Sequence, residues 1–309
     1  MGTQGFSPRT RADAQLVRFG TEAGRVGVRG GRGGTNLELE VTIEIARGKR
    51  AKVNGAPLRA AEQLRGEVAT LVFTPDRLAV VKGGPAVRRA YFDRAVARLA
   101  PARAAAATEY AAALAQRNAA LRRVAGGLSS RAALVPWTEQ VVALGTELVT
   151  VRHEVVAALT PGFAARAEEL GLPAARMGYE GEPPTLELLD QRLDRDIERG
   201  ATGAGPHLHD IALRSGTRDL RSFGSQGEQR LTLLALLLAE AELIAERRGY
   251  RPLLLFDDVL SELDPGRRRV LAEGVRDRGQ TLITATEASA LPLEPTQLLE
   301  VSPGLVRAA

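Results

Sequence analysis

Residues 252–264 constrain this chain more than any others. The run Pro252-Leu253-Leu254-Leu255-Phe256 ends on two adjacent acids, Asp257 and Asp258. A short apolar run bounded by a proline and by charge is expected to be a buried strand. Ser261-Glu262-Leu263-Asp264 comes next as a loop with acids of its own, and a helix is expected after it. In a nucleotide-hydrolysing sheet, a strand of this kind delivers one carboxylate to Mg²⁺ and the next to the attacking water. Asp257 is then the metal ligand and Asp258 the catalytic group. The competing reading is a strand end whose carboxylates only cap the next segment.

Composition sets outer limits. With 309 residues and 44% hydrophobic content, the chain is long enough for one large domain or two modest ones. There is no cysteine, which excludes a disulfide framework and thiol chemistry and suits the cytoplasm. The first eight residues have no apolar core of a signal peptide. The longest apolar run, near Leu231–Ala239, is too short to span a bilayer, so no membrane role is expected. The net charge is +5 and almost all the positive charge is arginine, since only Lys49, Lys52 and Lys82 are lysines. That balance fits an anionic partner such as DNA, and equally a genome that writes arginine for lysine.

The pattern divides the chain into three regions. Residues 1–100 begin as β-structure: Arg25–Arg29 and Leu37–Ala46 read as strands around a glycine-rich stretch, 30–36. Between two strands that stretch is a hairpin turn rather than a phosphate loop, and Asn54-Gly55 marks a second turn. Thr70–Phe73 is a short buried strand, and helix begins near Arg88. Residues 101–200 are mostly helical. Trp137, Val141, Leu144, Leu148, Val151 and Val155 alternate by four and three, a coiled-coil-like seam facing Tyr110, Leu114, Leu121 and Val124 of the preceding helix. A short antiparallel arm is expected there, broken by Gly171–Pro184 and followed by one helix over Thr185–Glu198. Residues 201–309 return to α/β: strands at His209–Arg214, Pro252–Phe256 and Gln280–Ala285, helices at Gln226–Arg247 and Asp264–Arg276, and a terminal hairpin at Gln297–Val306. Alternation of strand and helix implies a largely parallel sheet.

Phe223-Gly224-Ser225-Gln226-Gly227-Glu228-Gln229-Arg230 lies upstream of the acidic strand and opens a long helix. Ser225 is a good N-cap residue. The same geometry, a hydroxyl and a glycine amide at a helix N-terminus, is also an anion site. The two motifs together resemble the signature loop and Walker B strand of an ABC-type ATPase head. That resemblance implies that Ser225, Gln226 and Gly227 contact ATP bound to the opposite protomer. It implies that Asp264 lies in a loop crossing the dimer interface, where it equally suits an N-cap. It also puts Thr286, in Leu282-Ile283-Thr284-Ala285-Thr286-Glu287, where such heads carry a switch histidine. Asp258 stands where many of them carry glutamate, and the shorter side chain implies slow hydrolysis. His153, His207 and His209 have no metal-ligand spacing with a second cluster.

Four segments resemble the RecF family. They are Val81-Lys82-Gly83-Gly84-Pro85-Ala86-Val87-Arg88-Arg89-Ala90-Tyr91-Phe92-Asp93, then Ala115-Gln116-Arg117-Asn118-Ala119-Ala120-Leu121, then Gly203-Ala204-Gly205-Pro206-His207, and last Phe223–Arg230 with the acidic strand. The resemblance covers essentially the whole chain. It implies an α/β fold: an ABC-type ATPase head, with a mixed sheet plus a largely parallel sheet, and a short antiparallel helical arm. It implies an ATP-gated dimeric clamp on single-stranded and duplex or gapped DNA, using ATP and Mg²⁺. RecO and RecR are the implied partners, in recombinational repair. Two departures stand out. After Gly205-Pro206-His207 the family's Arg-Asp-Asp is Leu208-His209-Asp210 here. The family's opening strand, G-x-x-x-x-G-K-[ST] loop and first helix are also not found, and Arg9–Gly20 resembles the family segment just beyond that helix. A start codon set too far downstream, or a truncation, is the expected cause. The 309 residues as they stand are then expected to bind ATP weakly or not at all and to be inactive as an ATPase. The alternative is a non-catalytic DNA-binding or interaction protein that keeps the ABC fold. Arg88 and Arg89, at a helix start after a Gly-Pro turn, are expected either to meet DNA phosphates or to pair with acids such as Asp93 or Asp76.

Overall fold

In the computed structural model, strands form where apolar residues alternate between turn signals. In chain order they are β1 (Ala23–Arg32), β2 (Thr35–Glu44), β3 (Gly48–Val53), β4 (Ala56–Pro57), β5 (Thr70–Phe73), β6 (Ala175–Glu180), β7 (Asp210–Ser215), β8 (Arg218–Asp219), β9 (Leu253–Asp257), β10 (Thr281–Thr284), β11 (Leu299–Ser302) and β12 (Leu305–Ala308). The α-helices are α1 (Leu64–Glu67), α2 (Ala79–Lys82), α3 (Pro85–Leu99), α4 (Ala106–Ala125), α5 (Val135–Glu169), α6 (Leu186–Gln191), α7 (Leu193–Arg199), α8 (Leu220–Phe223), α9 (Gln226–Arg248) and α10 (Pro265–Arg276). The structure describes every residue except Gln4, Phe6, Pro8, Arg9, Arg11, Gly33, Glu262, Asp277 and Arg278, and the side chains of Arg32 and Glu62. The readings of the N-terminal stretch, the glycine-rich turn and the acidic loop therefore fall partly outside the described residues, at those positions.

The chain divides into two compact units, Met1–Thr74 with Ala241–Ala309, and Pro75–Glu240. In the first, β1-β2-β3-β4 form an antiparallel sheet. Its core comes from the alternation in β2, where Leu37, Leu39, Val41 and Ile43 point inward onto Ala51, Ala61 and Leu64. The hairpin expected from the glycine-rich stretch is seen, with Arg32 paired to Thr35. At the second turn Asn54 and Gly55 both take positive φ, 47° and 82°, the conformation that matches the twist of a tight hairpin. The same unit holds a parallel sheet in the order β10-β9-β5. Leu254 and Phe256 of β9 are buried, and Phe256 meets Phe73 of β5 edge to face, with ring centroids 6.4 Å apart. Among the described residues no strand pairs with the outer edge of β10, and Leu282 on it is 48% exposed. The β11-β12 hairpin lies where Gln297–Val306 predicts one, and all its residues are exposed.

The second unit is built on α3, α4 and α5. Of the expected seam, Val141, Leu148, Val151 and Val155 are buried, as are Tyr110 and Leu121 of α4. Near the far end Leu121, Leu134 and Ala120 form a small core closed by Trp137, Val124, Leu193 and Ile197. Helix α5 is longer than the seam suggests, running on through Pro161 to Glu169. Two features differ from the sequence reading. The Gly171–Pro184 break contains a strand, β6, whose antiparallel partner is β7, and β7 therefore joins β6 and β8 rather than the parallel sheet. A six-residue strand with only Ala175 and Met177 buried carries too weak an alternation to be read locally. The expected helix over Thr185–Glu198 is two, α6 and α7, meeting at Arg192. The leucine-rich stretch of α9 is buried all round, as its composition predicts: Leu231, Leu233, Leu234, Leu236, Leu237 and Leu238 are at most 2% exposed.

Candidate nucleotide-binding site

The parallel register of β9 and β10 sets Asp257 beside Thr284 at the C-terminal end of the sheet. Thr284 Oγ1 donates to Asp257 Oδ1 at 2.7 Å and accepts the Asp258 N–H at 3.0 Å. Asp258 has φ of 51°, the left-handed region, which aspartate tolerates better than most residues. Ser261 Oγ donates to the Asp258 carbonyl at 3.1 Å. Both acids are half-buried. Asp257 Oδ2 and the Asp258 carboxylate have no hydrogen-bond partner among the described residues. Thr284 was not read from the sequence as part of the site. Its only local signal is a hydroxyl at the end of a strand neighbouring the acidic one. No hydrogen bond joins Thr286 to either acid among the described residues, and Thr286 is exposed.

Asp264 caps α10. Its Oδ1 accepts the Arg267 N–H at 3.0 Å, which holds the carboxyl below the usual carboxylate range. The capping half of its dual reading is thus visible in the fold.

At the start of α9, Ser225 and Glu228 form a reciprocal box. Ser225 N–H donates to Glu228 Oε2 at 2.8 Å, and Glu228 N–H donates to Ser225 Oγ at 3.2 Å. That first bond, with Arg218 as a second partner, lowers the Glu228 pKa. Ser225, Gln226 and Gly227 are exposed, and a Cβ built on Gly227 meets nothing closer than Ser225 Oγ at 3.9 Å. The first turn of a long helix therefore stands open to an anion. Among the described residues there is no cluster of three His, Asp or Glu side chains that holds a metal by itself. Asp257 with one oxygen free still suits Mg²⁺, which takes one or two carboxylates and completes its shell with phosphate and water oxygens.

The other recognised segments do different work. Arg88 is 3% exposed; its Nε and Nη2 grip Asp210 at 2.7 and 2.6 Å, and its Nη1 donates to the carbonyls of Val81 and Gly83. Arg89 donates to the His209 carbonyl at 2.6 Å. The pairing reading is the one seen for Arg88, but its partner is Asp210, not Asp93 or Asp76. Asp93 is instead held by Arg152 at 2.7 and 2.9 Å. Arg117, fully buried, binds Asp196 Oδ2 at 2.9 Å and Thr202 Oγ1 at 2.7 Å, and Asn118 Oδ1 accepts the Thr202 N–H at 2.8 Å. Tyr91 donates to Glu240, which also pairs with Arg98. Burial first, and then the Glu240 charge, push the Tyr91 pKa well up.

His207 bridges Tyr110 Oη (2.7 Å) and the Thr202 carbonyl (3.0 Å), and burial lowers its pKa. Gly205 has φ of 130°, and a Cβ there would stand 2.7 Å from Tyr110 Oη, so glycine is required on both counts. His209 accepts or donates at Tyr179 Oη, 2.8 Å away, and burial followed by Arg152 lowers its pKa. The exposed His153 lies on the surface of α5.

No protein-family model matches the chain. Curated relatives do. The DNA replication and repair protein RecF of Anaeromyxobacter dehalogenans is 40% identical, over 84% of this chain and 73% of its own length. That of Heliobacterium modesticaldum is 35% identical, over 95% of this chain and 82% of its own. Among solved structures, the recombination mediator protein RecF-ATPrS of the RecFOR pathway superposes with a TM-score of 0.86 at 26% identity, covering 99% of this chain and 85% of that one. An SMC head bound to the C-terminal winged-helix domain of ScpA shares the fold alone, with a TM-score of 0.51 at 13% identity over 94% of this chain and 74% of that one. The order of the motifs, the mixed α/β head and these likenesses agree: the chain belongs to the RecF family of DNA replication and repair proteins and has the SMC/ABC-type head fold.

Proposed function

We propose that this chain is the head of an ATP-gated dimeric clamp on DNA that assists recombinase loading in recombinational repair and replication-fork maintenance. The observation that carries the reading is the acid pair at the end of β9, with Asp257 anchored through one oxygen and open at the other. In this reading Asp257 holds Mg²⁺ and Asp258 orients the attacking water. Ser225, Gln226 and Gly227 present the α9 N-terminus to the γ-phosphate of nucleotide held by a second copy. Asp264 reaches the dimer interface, and Thr286 supplies a sensing hydroxyl. Bound ATP supplies the phosphoanhydride whose cleavage times the clamp. Residues 101–200 form the arm. The partners are single-stranded and duplex or gapped DNA, RecO, RecR and the second copy, in the cytoplasm. No helix among the described residues is long and apolar enough to cross a membrane.

A second reading is a non-catalytic DNA-binding or interaction protein that keeps the same fold and uses the acid pair and the α9 N-terminus only as structural caps. Sedimentation velocity on gapped duplex DNA, with and without ATP and Mg²⁺, separates the two. The clamp gives a nucleotide-dependent dimer that Ser225→Arg abolishes. The non-catalytic protein binds DNA or a protein partner identically in both conditions, and a fluorescent ATP analogue fails to bind it at micromolar concentration.

A further inference from the structure

We propose that Thr284 is the positioning residue of the acid pair, a role that rests on the nucleotide-site reading above. A hydroxyl has one proton to give. Thr284 gives it to Asp257 Oδ1 at 2.7 Å, which fixes that carboxylate's rotamer and leaves Oδ2 turned to other ligands. The lone pairs of the same oxygen accept the Asp258 N–H at 3.0 Å. Asp258 needs that anchor. Its φ of 51° is costly for a residue with a Cβ and persists only where neighbours hold it. Thr284 holds it from the amide side, and Ser261, at 3.1 Å, from the carbonyl side. One side chain on β10 thus sets both the direction of the metal-binding carboxylate and the backbone turn that presents the second acid. The parallel register places Thr284 opposite Asp257 and no other residue. Groups that hydrogen-bond a ligating carboxylate orient it, and their loss typically weakens metal affinity by about tenfold to a hundredfold.

The strand carries its own control. Thr281 Oγ1, also on β10, is buried without a hydrogen-bond partner among the described residues, so Thr281→Val removes a hydroxyl that supports neither acid. The probe is Mn²⁺ alone, titrated into the full chain while line broadening of the Asp257 and Asp258 amide resonances is followed by NMR. The method detects weak binding and needs no turnover. Thr284→Val should weaken the apparent Mn²⁺ affinity by about tenfold or more, Thr284→Ser should restore it, and Thr281→Val should leave it unchanged. Equal affinity in Thr284→Val and the unmodified chain overturns the proposal, as does failure of Thr284→Ser to rescue or an equal loss in Thr281→Val. Asp257→Asn tests the underlying reading separately. If Mn²⁺ broadens these signals as before in Asp257→Asn, or never broadens them in the unmodified chain, the nucleotide-site reading fails. Should Thr284→Val not fold, hydrogen exchange of the Asp258 amide in the unmodified chain decides. Slower exchange on adding Mg²⁺ supports the positioning role, and an unchanged rate overturns it.

Discussion

The two units place their motif charges in opposite surroundings. In Pro75–Glu240, Arg88, Arg98, Arg117 and Arg152 are buried, and each is matched to an acid: Asp210, Glu240, Asp196 and Asp93. In the other unit the acids at the end of β9 stand half-buried and are supported by a hydroxyl, while Asp264 is exposed, caps α10 through a backbone amide and meets Arg267 only in a solvent-exposed ion pair at 3.4 Å. A buried charge is tolerable only when paired, and removing one partner strands the other in a low-dielectric interior. An acid at an open rim loses little by being unpaired and keeps its oxygens for a ligand. Residues equally prominent in the sequence therefore divide into those that brace the protein and those free to act.

The largest effect that tests this contrast is expected at Arg117. Arg117→Ala leaves Asp196 buried without its cation and should destabilise the protein by about 3–5 kcal/mol in urea unfolding. A loss below about 1 kcal/mol would put Arg117 outside the bracing network. Arg88→Ala should cost a similar or slightly smaller amount, because Asp210 is less deeply buried than Asp196. It should also leave the salt dependence of duplex DNA binding unaltered. A slope of log affinity against log salt that falls by about 0.9 would instead assign Arg88 to a phosphate.

A smaller effect is expected at Ser225. Ser225→Ala removes the acceptor for the Glu228 amide and should cost about 1 kcal/mol, the usual worth of an N-cap. A neutral result in thermal melting would mean that Glu228, still held by Arg218, caps the helix without help. The smallest effect is expected from pH. Burial depresses the folded-state pKa values of His207 and His209 below 6.5, so their neutral forms favour the folded state. That contribution is complete above 6.5 and is lost as the pH falls through the lower folded values. The melting temperature should therefore drop on going from neutral to mildly acidic buffer, and His207→Gln should reduce the drop. A melting temperature that rises on acidification would reverse the sign assigned to these histidines.

Much of the fold and of the site was legible because its causes are local. The acids after Phe256, the cap at Ser225, the turn at Asn54-Gly55 and the apolar stretch of α9 each depend on residues a few positions apart. The packing of α4 on α5 was legible from the apolar seam, which is a period rather than a contact. Strand β6 was not, because its few inward residues make sense only against β7. Pairings across long stretches of chain were equally hidden. Arg88 and Asp210 lie 122 residues apart, Arg117 and Asp196 79, and Thr284 and Asp257 27. The sequence alone determined that acids end a buried strand, that a helix opens at Ser225, and that arginines cluster in recognisable segments. Only the tertiary structure decided which acid each arginine meets and which hydroxyl holds Asp257. Charge specifies the kind of partner a side chain needs, while the packing of distant segments selects one among many of that kind.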